Sequence, residues 1–426
     1  MIPISSLWSA TAPPAPETGA LDAGEHAADV AVIGAGYTGL ACALKLAQEG
    51  VGVTLLEAQE IGWGASGRNN GQVIPCLSRA DPDRLVAAYG ADKGEALNQL
   101  IRDSAALVFD LARTHGIDCE AVQNGWIQPA HSRARFDSVS RMRYQQWKKR
   151  GAPVELLDRD ATTAVTGSRY WQGAWRNSTG GHINPLAFAR GLAQAALRAG
   201  ARIFTQTPAL GIEPSGEGWA IAVPRATLKA RRVVIATNAY SGSLWPGLAQ
   251  SLVAVPSFQM ATQPLSETQR KSVLPANNAV SDTHGDLYFC RYDARGRLVT
   301  GGSLVFDAGY EKRLRPLVMK RLLMLFPQLN ELRFDYVWQG DIGMTVDGLP
   351  HVHRLADGVY AWTGCNGRGV ALATALGGVL ADAARGVAEE TLPVPFVPLA
   401  PIAAHGLARR LARLMLLAYR WKDARD

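Results

Sequence analysis

Apolar and polar residues follow their clearest pattern between residues 29 and 58 of this chain. An apolar run from Val30 to Ile33 predicts a buried strand, and the residues up to Gln48 repeat apolar side chains at helical spacing. Gly50 marks the end of that helix, and a second apolar run leads to Glu57. The pattern predicts one β-α-β unit with two parallel strands.

Three glycines, Gly34, Gly36 and Gly39, lie where the first strand would turn into the helix. In a dinucleotide-binding unit they permit the tight turn, the approach of backbone to the pyrophosphate, and close packing of helix on strand. Glu57 ends the second strand 18 residues after Gly39, where a carboxylate accepts ribose hydroxyls. We expect a bound dinucleotide; the alternative is a glycine-rich turn in an ordinary α/β protein.

The first unit recurs near the other end of the sequence. A strand from Val359 to Thr363, a glycine-rich turn and an alanine-rich helix from Val370 to about Arg385 repeat its order. The start of that helix would stabilise negative charge on a ligand by up to about 2 kcal/mol. The other predicted elements are a helical region over 82–115, a hairpin at Asn124-Gly125, a basic helix over 132–150, a helix from Pro185 to Ala199, a strand over 201–205, a meander from Thr207 to Ala236 and a helix over Pro316 to Phe326.

Two further stretches bring polar groups toward the predicted dinucleotide. After Glu57 come Gly62, Gly64, Gly67 and Gly71, too many glycines for a regular element, interspersed with the donors Ser66, Arg68, Asn69 and Gln72. The strand Val233 to Ala236 leads into Thr237, Asn238 and Tyr240, at the sheet edge where ligands bind. The alternative for the first stretch is a solvated glycine loop.

Composition narrows the class of protein. A chain of 426 residues with 47% hydrophobic and 19% charged residues predicts a globular protein of two domains. Five scattered cysteines without a CxxC pair argue against disulfides and zinc, and His351 and His353 do not complete a metal site, so we expect no metal. The net charge of +7 is dispersed, which argues against nucleic-acid binding and favours an anionic substrate or membrane surface.

The two ends of the chain bear on its location. The sequence offers no run of about 20 apolar residues and no basic segment ahead of an apolar N-terminal stretch, so we expect a cytoplasmic protein. The tail places Leu407, Leu411, Leu414 and Ala418 at helical spacing, flanked by Arg409, Arg410, Arg413 and Arg420. This segment, 405–422, either docks on the protein body or lies on the inner face of an anionic membrane as a peripheral contact.

Four segments together, VIGAGYTGL, GWGASGRNNGQV, VVIATNAY and TGCNGRGVALATALG, resemble the flavoproteins of the D-amino-acid oxidase superfamily. The resemblance is greatest to the γ-glutamylputrescine oxidoreductase branch, and the segments GWGASGRN and IGMTVDGLPH are its specific part. It implies an α/β fold with a Rossmann-type FAD-binding domain and an inserted, mostly antiparallel cap domain. The implied divisions are 27–80, 168–250 and 341–388 for the FAD-binding domain, 81–167 and 251–340 for the cap, 1–26 for an N-terminal arm and 389–426 for the tail.

The resemblance implies FAD as the cofactor. Relatives that attach flavin covalently do so through cysteine or histidine, and neither matches here, since Gly340 lies near the cysteine position of the sarcosine oxidase type. We therefore expect non-covalent FAD. The implied binding residues are Gly34, Gly36, Tyr37, Thr38, Gly39, Glu57, Ala58, Ala65, Ser66, Arg68, Asn69, Gly71, Gln72, Ala209, Thr237, Gly364, Gly367, Arg368, Gly369 and Val370.

A single GxGxxG predicts a substrate that reduces the flavin directly, without a nicotinamide partner. A primary or secondary amine or an amino acid fits, with a γ-glutamylputrescine-like amine favoured. The carbon beside its nitrogen would deliver hydride to flavin N5, the imine would hydrolyse, and O₂ would reoxidise the flavin with release of H₂O₂. The alternatives are a membrane-associated dehydrogenase that passes electrons to a quinone or carrier, and a flavin-binding protein without turnover.

Four residues are candidates for substrate binding and catalysis. Arg291 offers a paired donor fork for a carboxylate, although a surface salt bridge is its alternative. Tyr288, Trp338 and His182 are weaker candidates, because aromatic side chains at strand spacing more often belong to the core.

Overall fold

A computed structural model describes residues 6–286 and 288–412 of the chain. The strands are β1 (Gly24–Ile33), β2 (Val53–Leu56), β3 (Gln72–Val73), β4 (Trp126–Pro129), β5 (Val154–Leu157), β6 (Ala174–Asn177), β7 (Gly181–His182), β8 (Arg202–Phe204), β9 (Gly211–Ser215), β10 (Gly218–Val223), β11 (Ala226–Ile235), β12 (Val253–Pro264), β13 (Ala279–Ser281), β14 (Phe289–Tyr292), β15 (Arg297–Ser303), β16 (Phe334–Met344), β17 (His351–Ala356) and β18 (Val359–Thr363). The helices are α1 (Leu7–Thr11), α2 (Tyr37–Gln48), α3 (Pro82–Tyr89), α4 (Ala91–His115), α5 (Arg133–Arg135), α6 (Arg141–Lys149), α7 (Arg159–Thr166), α8 (Pro185–Arg198), α9 (Glu267–Ser272), α10 (Tyr310–Leu325) and α11 (Gly369–Arg385); residues 405–412 are also helical.

The first large sheet contains the predicted β-α-β unit. Its strand order is β17-β18-β11-β1-β2-β8, and β11 also continues into the antiparallel meander with β10 and β9. β1 pairs in parallel with β2 and β11, as the apolar run Val30 to Ile33, buried on both faces, predicts. Helices α2 and α11 pack against each other, so the two strand-turn-helix units meet side by side.

The second large sheet is mostly antiparallel, with the order β16-β12-β15-β14-β13-β4-β6-β5. Its outer face packs against α10 through a separate apolar cluster that includes Phe258, Met260 and Leu322. The predicted fold class, α/β with a mostly antiparallel second sheet, is confirmed. The domain division stays a prediction, and two strands cross its bounds: β6 joins the second sheet although it falls within 168–250, and β16 extends past residue 340.

The N-terminal arm is not simply extended. Residues 7–11 form α1, and Leu7 and Trp8 are fully buried against the second sheet. The indole nitrogen of Trp8 donates a 2.8 Å hydrogen bond to the carbonyl of Asn69. Burial of these two side chains fixes the arm beside the glycine-rich loop.

The hairpin predicted at Asn124-Gly125 is wrong. β4 pairs with the distant strands β6 and β13, and the preceding residue Val122 forms an isolated bridge with His182. Asn124 donates its side-chain amide to the carbonyls of Ala276 and Asn277, which draws this turn to another part of the cap. Long-range pairing therefore replaces the local one.

Three predicted helices differ in their bounds. The region 82–115 is two helices separated at Gly90, whose φ of +79° interrupts the helical conformation. The region 132–150 contains α5, a π-helical turn over Phe136–Ser140 and α6. The helix predicted over Pro316 to Phe326 is α10, which begins at Tyr310 and ends at Leu325. Pro316 therefore lies in its interior and not at its start.

Two arginines of the basic helix are not on a solvated face. Arg143 is buried and pairs with Asp81 at 2.7 Å. The guanidinium of Arg150 is mostly buried and bonds both Glu95 and Asp83. These pairs tie the helix to the start of α3 and α4.

Candidate active site

A cavity of about 610 Å³ lies between the two large sheets. One wall is formed by the carboxyl ends of β1, β2, β11 and β18 and by the loops that follow them. The opposite wall comes from β12 to β16 of the second sheet. Ligands of open α/β folds bind at the carboxyl ends of the parallel strands, and cavities of this volume hold small organic molecules.

The residues that the resemblance assigns to FAD lie together in this cavity, with three exceptions. Gly39, Gly71 and Gly364 do not line it. A Cβ on Gly39 would overlap the carbonyl of Gly34, and a Cβ on Gly71 would overlap that of Ile183. These glycines allow backbone segments to approach each other and do not form the cavity wall.

Glu57 is held in a fixed orientation at one end of the cavity. One carboxylate oxygen accepts a 2.7 Å hydrogen bond from the amide of Ala35, and the other accepts a 2.8 Å bond from Gln59. Burial raises the pKa of Glu57, while these hydrogen bonds oppose that shift. A carboxylate has about four acceptor positions, so it can still receive the two hydroxyls of a ribose.

Arg68 is one of the charged residues that line the cavity. Its Nε donates a 2.7 Å hydrogen bond to the carbonyl of Trp63, and its guanidinium lies 4.3 Å from the centre of the Trp63 ring. Burial lowers the pKa of Arg68, and the nearby Tyr240 and Asp341 oppose that shift. The Nη2 atom is buried without a hydrogen-bond partner.

Arg368 occupies the N-cap position of α11. Its Nη1 donates to the thiol sulfur of Cys76 at 2.7 Å and to the carbonyl of Leu77 at 3.0 Å, and the guanidinium lies over Trp126. Burial lowers the pKa of Arg368. Its Nη2 atom, like that of Arg68, has no partner.

The unpaired polar atoms of this wall fit a dinucleotide with a flavin. Besides the two guanidinium nitrogens, Asn238 Oδ1 is buried in the wall without a partner. Buried polar atoms without partners are rare in folded proteins, because each costs about 1 to 3 kcal/mol. FAD carries both donors and acceptors along its length. The residues of this wall, which include the starts of α2 and α11, can therefore hold it in the cavity.

The opposite wall, formed by the second sheet and called the cap wall from here on, differs from the cofactor wall in its side chains. Ser257 and Gln259 from β12, Ser281 from β13, Phe289 from β14 and Ser303 from β15 line it, and none of these side chains is charged. Side chains alternate along β12. Ser257 and Gln259 face the cavity, whereas Phe258 and Met260 face the apolar cluster that packs against α10.

Arg291 lies outside the cavity. It is buried, and Nε, Nη1 and Nη2 donate to the carbonyls of Asn70, Tyr292 and Ile183 at 2.7 to 2.8 Å. The guanidinium also lies 4.5 Å from the ring of Trp8. These contacts leave no donor fork facing a substrate, so this placement does not agree with the carboxylate-binding prediction, and we do not retain it.

The three weaker candidates also lie behind the cavity wall. Trp338 is buried, and its indole nitrogen donates a 2.8 Å hydrogen bond to the carbonyl of Arg68. His182 is buried, and desolvation together with the charge of Arg291 lowers its pKa to about 3. Tyr288 stacks on His284 with ring centres 4.1 Å apart. Their contacts support the loops and strands around the site.

Sequence reasoning missed several residues of the cavity. Asp341 and Ser257 of the second sheet line it and were not predicted, whereas Asn238 and Tyr240, which also line it, were already placed at this sheet edge by the sequence. Gln259 is the clearest omission, because the polar alternation in VPSFQM was available in the sequence. The period of two shows that Ser257 and Gln259 share a face, but not which face meets the cofactor wall.

The described residues provide neither a metal-binding cluster nor a membrane-spanning helix. Within residues 6–286 and 288–412, no group of three histidine, cysteine, aspartate or glutamate side chains has the proximity needed to bind a metal ion. Over the same residues, none of the helices combines the length and apolar character required to cross a bilayer.

Comparison with known proteins gives an independent result. The family model described as FAD dependent oxidoreductase (DAO) matches residues 29–383. The chain is 33% identical to γ-glutamylputrescine oxidoreductase of Escherichia coli (strain K12) over 363 residues, which cover 85% of this chain and 84% of that protein. It is 32% identical to the probable oxidoreductase OrdL of Haemophilus influenzae (strain ATCC 51907 / DSM 11121 / KW20 / Rd). That match covers 88% of this chain and 87% of OrdL.

A solved structure shows the same fold. The crystal structure of glycine oxidase from Geobacillus kaustophilus matches 85% of this chain and 95% of its own, with a TM-score of 0.70 and 24% identity. The predicted cofactor class, FAD, is confirmed by the family match. The chain belongs to the D-amino-acid oxidase family of FAD-dependent oxidoreductases, enzymes that act on amines and amino acids.

Proposed function

We propose that this protein oxidises the carbon-nitrogen bond of an alkyl amine, with a γ-glutamylputrescine-like amine as its preferred substrate. The observation that carries the proposal is the contrast between the walls of one cavity. Arg68 and Arg368, each with an unpaired Nη2 atom, lie in the cofactor wall, whereas the cap wall presents the uncharged side chains of Ser257, Gln259 and Phe289 together with the carboxylate of Asp341. The identity to the Escherichia coli relative supports the same substrate class.

FAD held in this cavity would supply the acceptor for the hydride that leaves the carbon beside the amine nitrogen. The protein must hold that carbon in place and keep the amine unprotonated. Burial beside Phe289 and Ile342 disfavours an ammonium ion, because these apolar side chains replace part of its water. Asp341 is the carboxylate that the second sheet contributes to the described wall, and it interacts electrostatically with Arg68.

Positive charge is concentrated at one end of the cofactor wall. The N-terminus of α11 is directed there, and the Arg368 guanidinium is buried at its first turn. Helix N-termini and buried cations stabilise negative charge that develops during a reaction. We propose that α11 and Arg368 serve this purpose for the bound cofactor.

We also propose that FAD is held without a covalent bond. Cys365 lines the cavity and Cys76 contacts Arg368, and burial raises the pKa of both thiols. A protonated thiol is a poor nucleophile. Precipitation with acid is expected to release all flavin into the supernatant, and flavin that stays with the polypeptide would contradict this proposal.

An anaerobic substrate panel tests the main proposal. The holoenzyme is mixed without oxygen with γ-glutamylputrescine, N-acetylputrescine, putrescine, and D- and L-amino acids, and the flavin absorbance is followed. We expect bleaching with the acylated diamines. Bleaching by none of these compounds would refute the proposed enzyme activity and leave flavin binding without turnover.

Admission of air then distinguishes an oxidase from a dehydrogenase. We expect rapid recovery of the oxidised spectrum with stoichiometric H₂O₂. The competing function, electron transfer to a quinone at a membrane, is favoured by the exposed side chains Leu407 and Leu411 beside Arg409 and Arg410. Slow recovery in air with fast recovery on addition of a soluble quinone would establish that alternative.

A further inference from the structure

Gln259 is a buried polar side chain that the fold leaves without a partner. It is 6% exposed, it lines the cavity from β12, and its Oε1 atom has no hydrogen bond. Leaving a buried carbonyl oxygen unpaired is unfavourable, so a group that faces a cavity in this state is a candidate contact for a ligand.

The other polar side chains of the cap wall already have partners. Ser257 Oγ donates to the carbonyl of Gly340 at 3.1 Å, and Ser281 Oγ donates to the side-chain oxygen of Gln72 at 2.5 Å. The Gln72 amide nitrogen in turn donates to the carbonyl of Val280. Gln259 therefore differs from its neighbours in the wall.

The strands around Gln259 make room for its side chain. Gln259 faces Gly301 of β15 on one side and Trp338 of β16 on the other. A Cβ at Gly301 would overlap the backbone carbonyl of Phe258, and it would also lie 2.7 Å from the Phe289 ring and 3.0 Å from Gln259 Oε1. The absence of a side chain at Gly301 thus lets an amide oxygen and an aromatic ring lie next to each other.

The chemistry of this wall selects among ligand groups. The unpaired atom, Oε1 of Gln259, needs a hydrogen-bond donor on the ligand, whereas the Nε2 group of the same amide is itself a donor. An ammonium ion at this part of the wall would leave water for a place lined by the uncharged side chains of Phe289 and Ser257, which is costly. A neutral N–H group needs only one acceptor and an apolar surface for its alkyl chain.

We propose that Gln259 determines specificity by accepting a hydrogen bond from the amide N–H of an N-acylated diamine, whose alkyl chain lies along Phe289. This inference rests on the proposed amine oxidation and names the part of the substrate that does not react. It places Gln259 in a binding role, away from the oxidised carbon. Free diamines and free α-amino acids lack the amide N–H that the site recognises.

The kinetic test compares two substrates in two variants. N-acetylputrescine carries the amide N–H, and its N-methylated amide does not. In the unmodified protein we expect kcat/KM for flavin reduction to be at least about tenfold higher with N-acetylputrescine than with the N-methylated amide. Gln259→Met, which has a similar shape and no acceptor, should lose most of this preference.

A matched control and a second variant separate binding from damage to the fold. Gln263→Met changes an exposed glutamine of the same strand and should keep the full amide preference. Gln259→Glu adds a carboxylate and should shift the preference toward unacylated putrescine. An unchanged amide preference in Gln259→Met would overturn the inference while the proposed oxidation remains.

An equilibrium measurement tests the inference without turnover. N-butylacetamide has the amide and the alkyl chain but no amine, so it cannot be oxidised at that position. We expect it to perturb the flavin spectrum of the holoenzyme, with a Kd about tenfold weaker in Gln259→Met. Absence of binding to the unmodified protein, or equal binding to both, would refute the role of Gln259 even if amines are oxidised.

Discussion

The Nε atom of Arg291 donates a 2.7 Å hydrogen bond to the backbone carbonyl of Asn70. The same guanidinium bonds the carbonyl of Ile183 and lies over the ring of Trp8. A buried cation thus joins the glycine-rich loop, the start of α8 and the N-terminal arm. Burial lowers the pKa of Arg291 to about 10, which still leaves it protonated at neutral pH.

Replacement of Arg291 by methionine should loosen the loop beside the cofactor. The change leaves three buried carbonyls without donors, and we expect the free energy of unfolding to fall by about 3 kcal/mol and FAD to bind more weakly. Urea unfolding and FAD titration measure both effects. Arg295→Met, at an exposed position, is the control. A variant of unchanged stability whose KM rises only for carboxylate substrates would restore the substrate-binding interpretation.

Two adjacent glycines of α11 should respond in opposite ways to alanine. A Cβ at Gly377 would lie 2.6 Å from the backbone oxygen of Thr38 in α2, whereas at Gly378 its nearest neighbour is the end of Lys45 at 3.8 Å. Gly377→Ala should separate the two helices and destabilise the protein by about 2 kcal/mol. Gly378→Ala should stabilise it by up to about 1 kcal/mol through helix propensity. Thermal unfolding of both variants checks this, and equal effects would contradict the close packing.

His182 should make stability depend on pH. Burial lowers the pKa of His182 to about 3, so between the ordinary histidine pKa and this value the unfolded chain binds a proton that the folded protein does not. Its contribution is complete above about pH 6.5 and is lost as pH falls, by about 2 kcal/mol at pH 5. Chemical unfolding of His182→Gln should show a smaller loss between these pH values, and His26→Gln serves as the control. Parallel losses in all three proteins would rule out this origin.

Glu57 should control the affinity for the cofactor. Its carboxylate oxygens accept from Ala35 and Gln59, and Glu57→Gln replaces one acceptor by a donor. We expect FAD to bind about tenfold more weakly, because a single uncharged amide oxygen then has to accept from the backbone N–H groups of Ala35 and Gln59 as well as from the ribose. Fluorescence titration of the apoprotein with FAD measures the change. Glu60→Gln, on the exposed side of the same loop, should bind FAD normally, and a similar loss in both variants would argue against ribose recognition.

The start of the C-terminal helix permits a test of the membrane alternative. Ala408 and Ala412 pack against Val253 and Val255, which is the docked arrangement for residues 405–412, whereas the predicted positions Leu414, Ala418, Arg413 and Arg420 lie outside the described residues. Leu407 and Leu411 are exposed. If this face contacts a bilayer, Leu407→Ser with Leu411→Ser should reduce sedimentation with anionic liposomes, and Leu317→Ser, an exposed leucine of α10, should not. Unchanged sedimentation, or its absence in the unmodified protein, would exclude membrane contact through this face.

The sequence by itself determined the two strand-turn-helix units and the cofactor class. The apolar run before Gly34, the helix after Gly36 and the acid at Glu57 are local signals, since they depend on residues within one β-α-β unit. The same holds for the turn and helix that begin near Arg368. Because each unit runs in the order strand, turn, helix, both glycine-rich turns lie at the carboxyl ends of parallel strands.

Only the tertiary structure decided which side chains face the cavity. Arg291 and Trp338 lie on strands of the second sheet, and pairing with strands distant in sequence turns both toward supporting contacts behind the wall. The same register turns Gln259 toward the cavity between Gly301 and Trp338. The reason is that a period of two defines which residues share a face of a strand, whereas the direction of that face depends on packing against elements far along the chain.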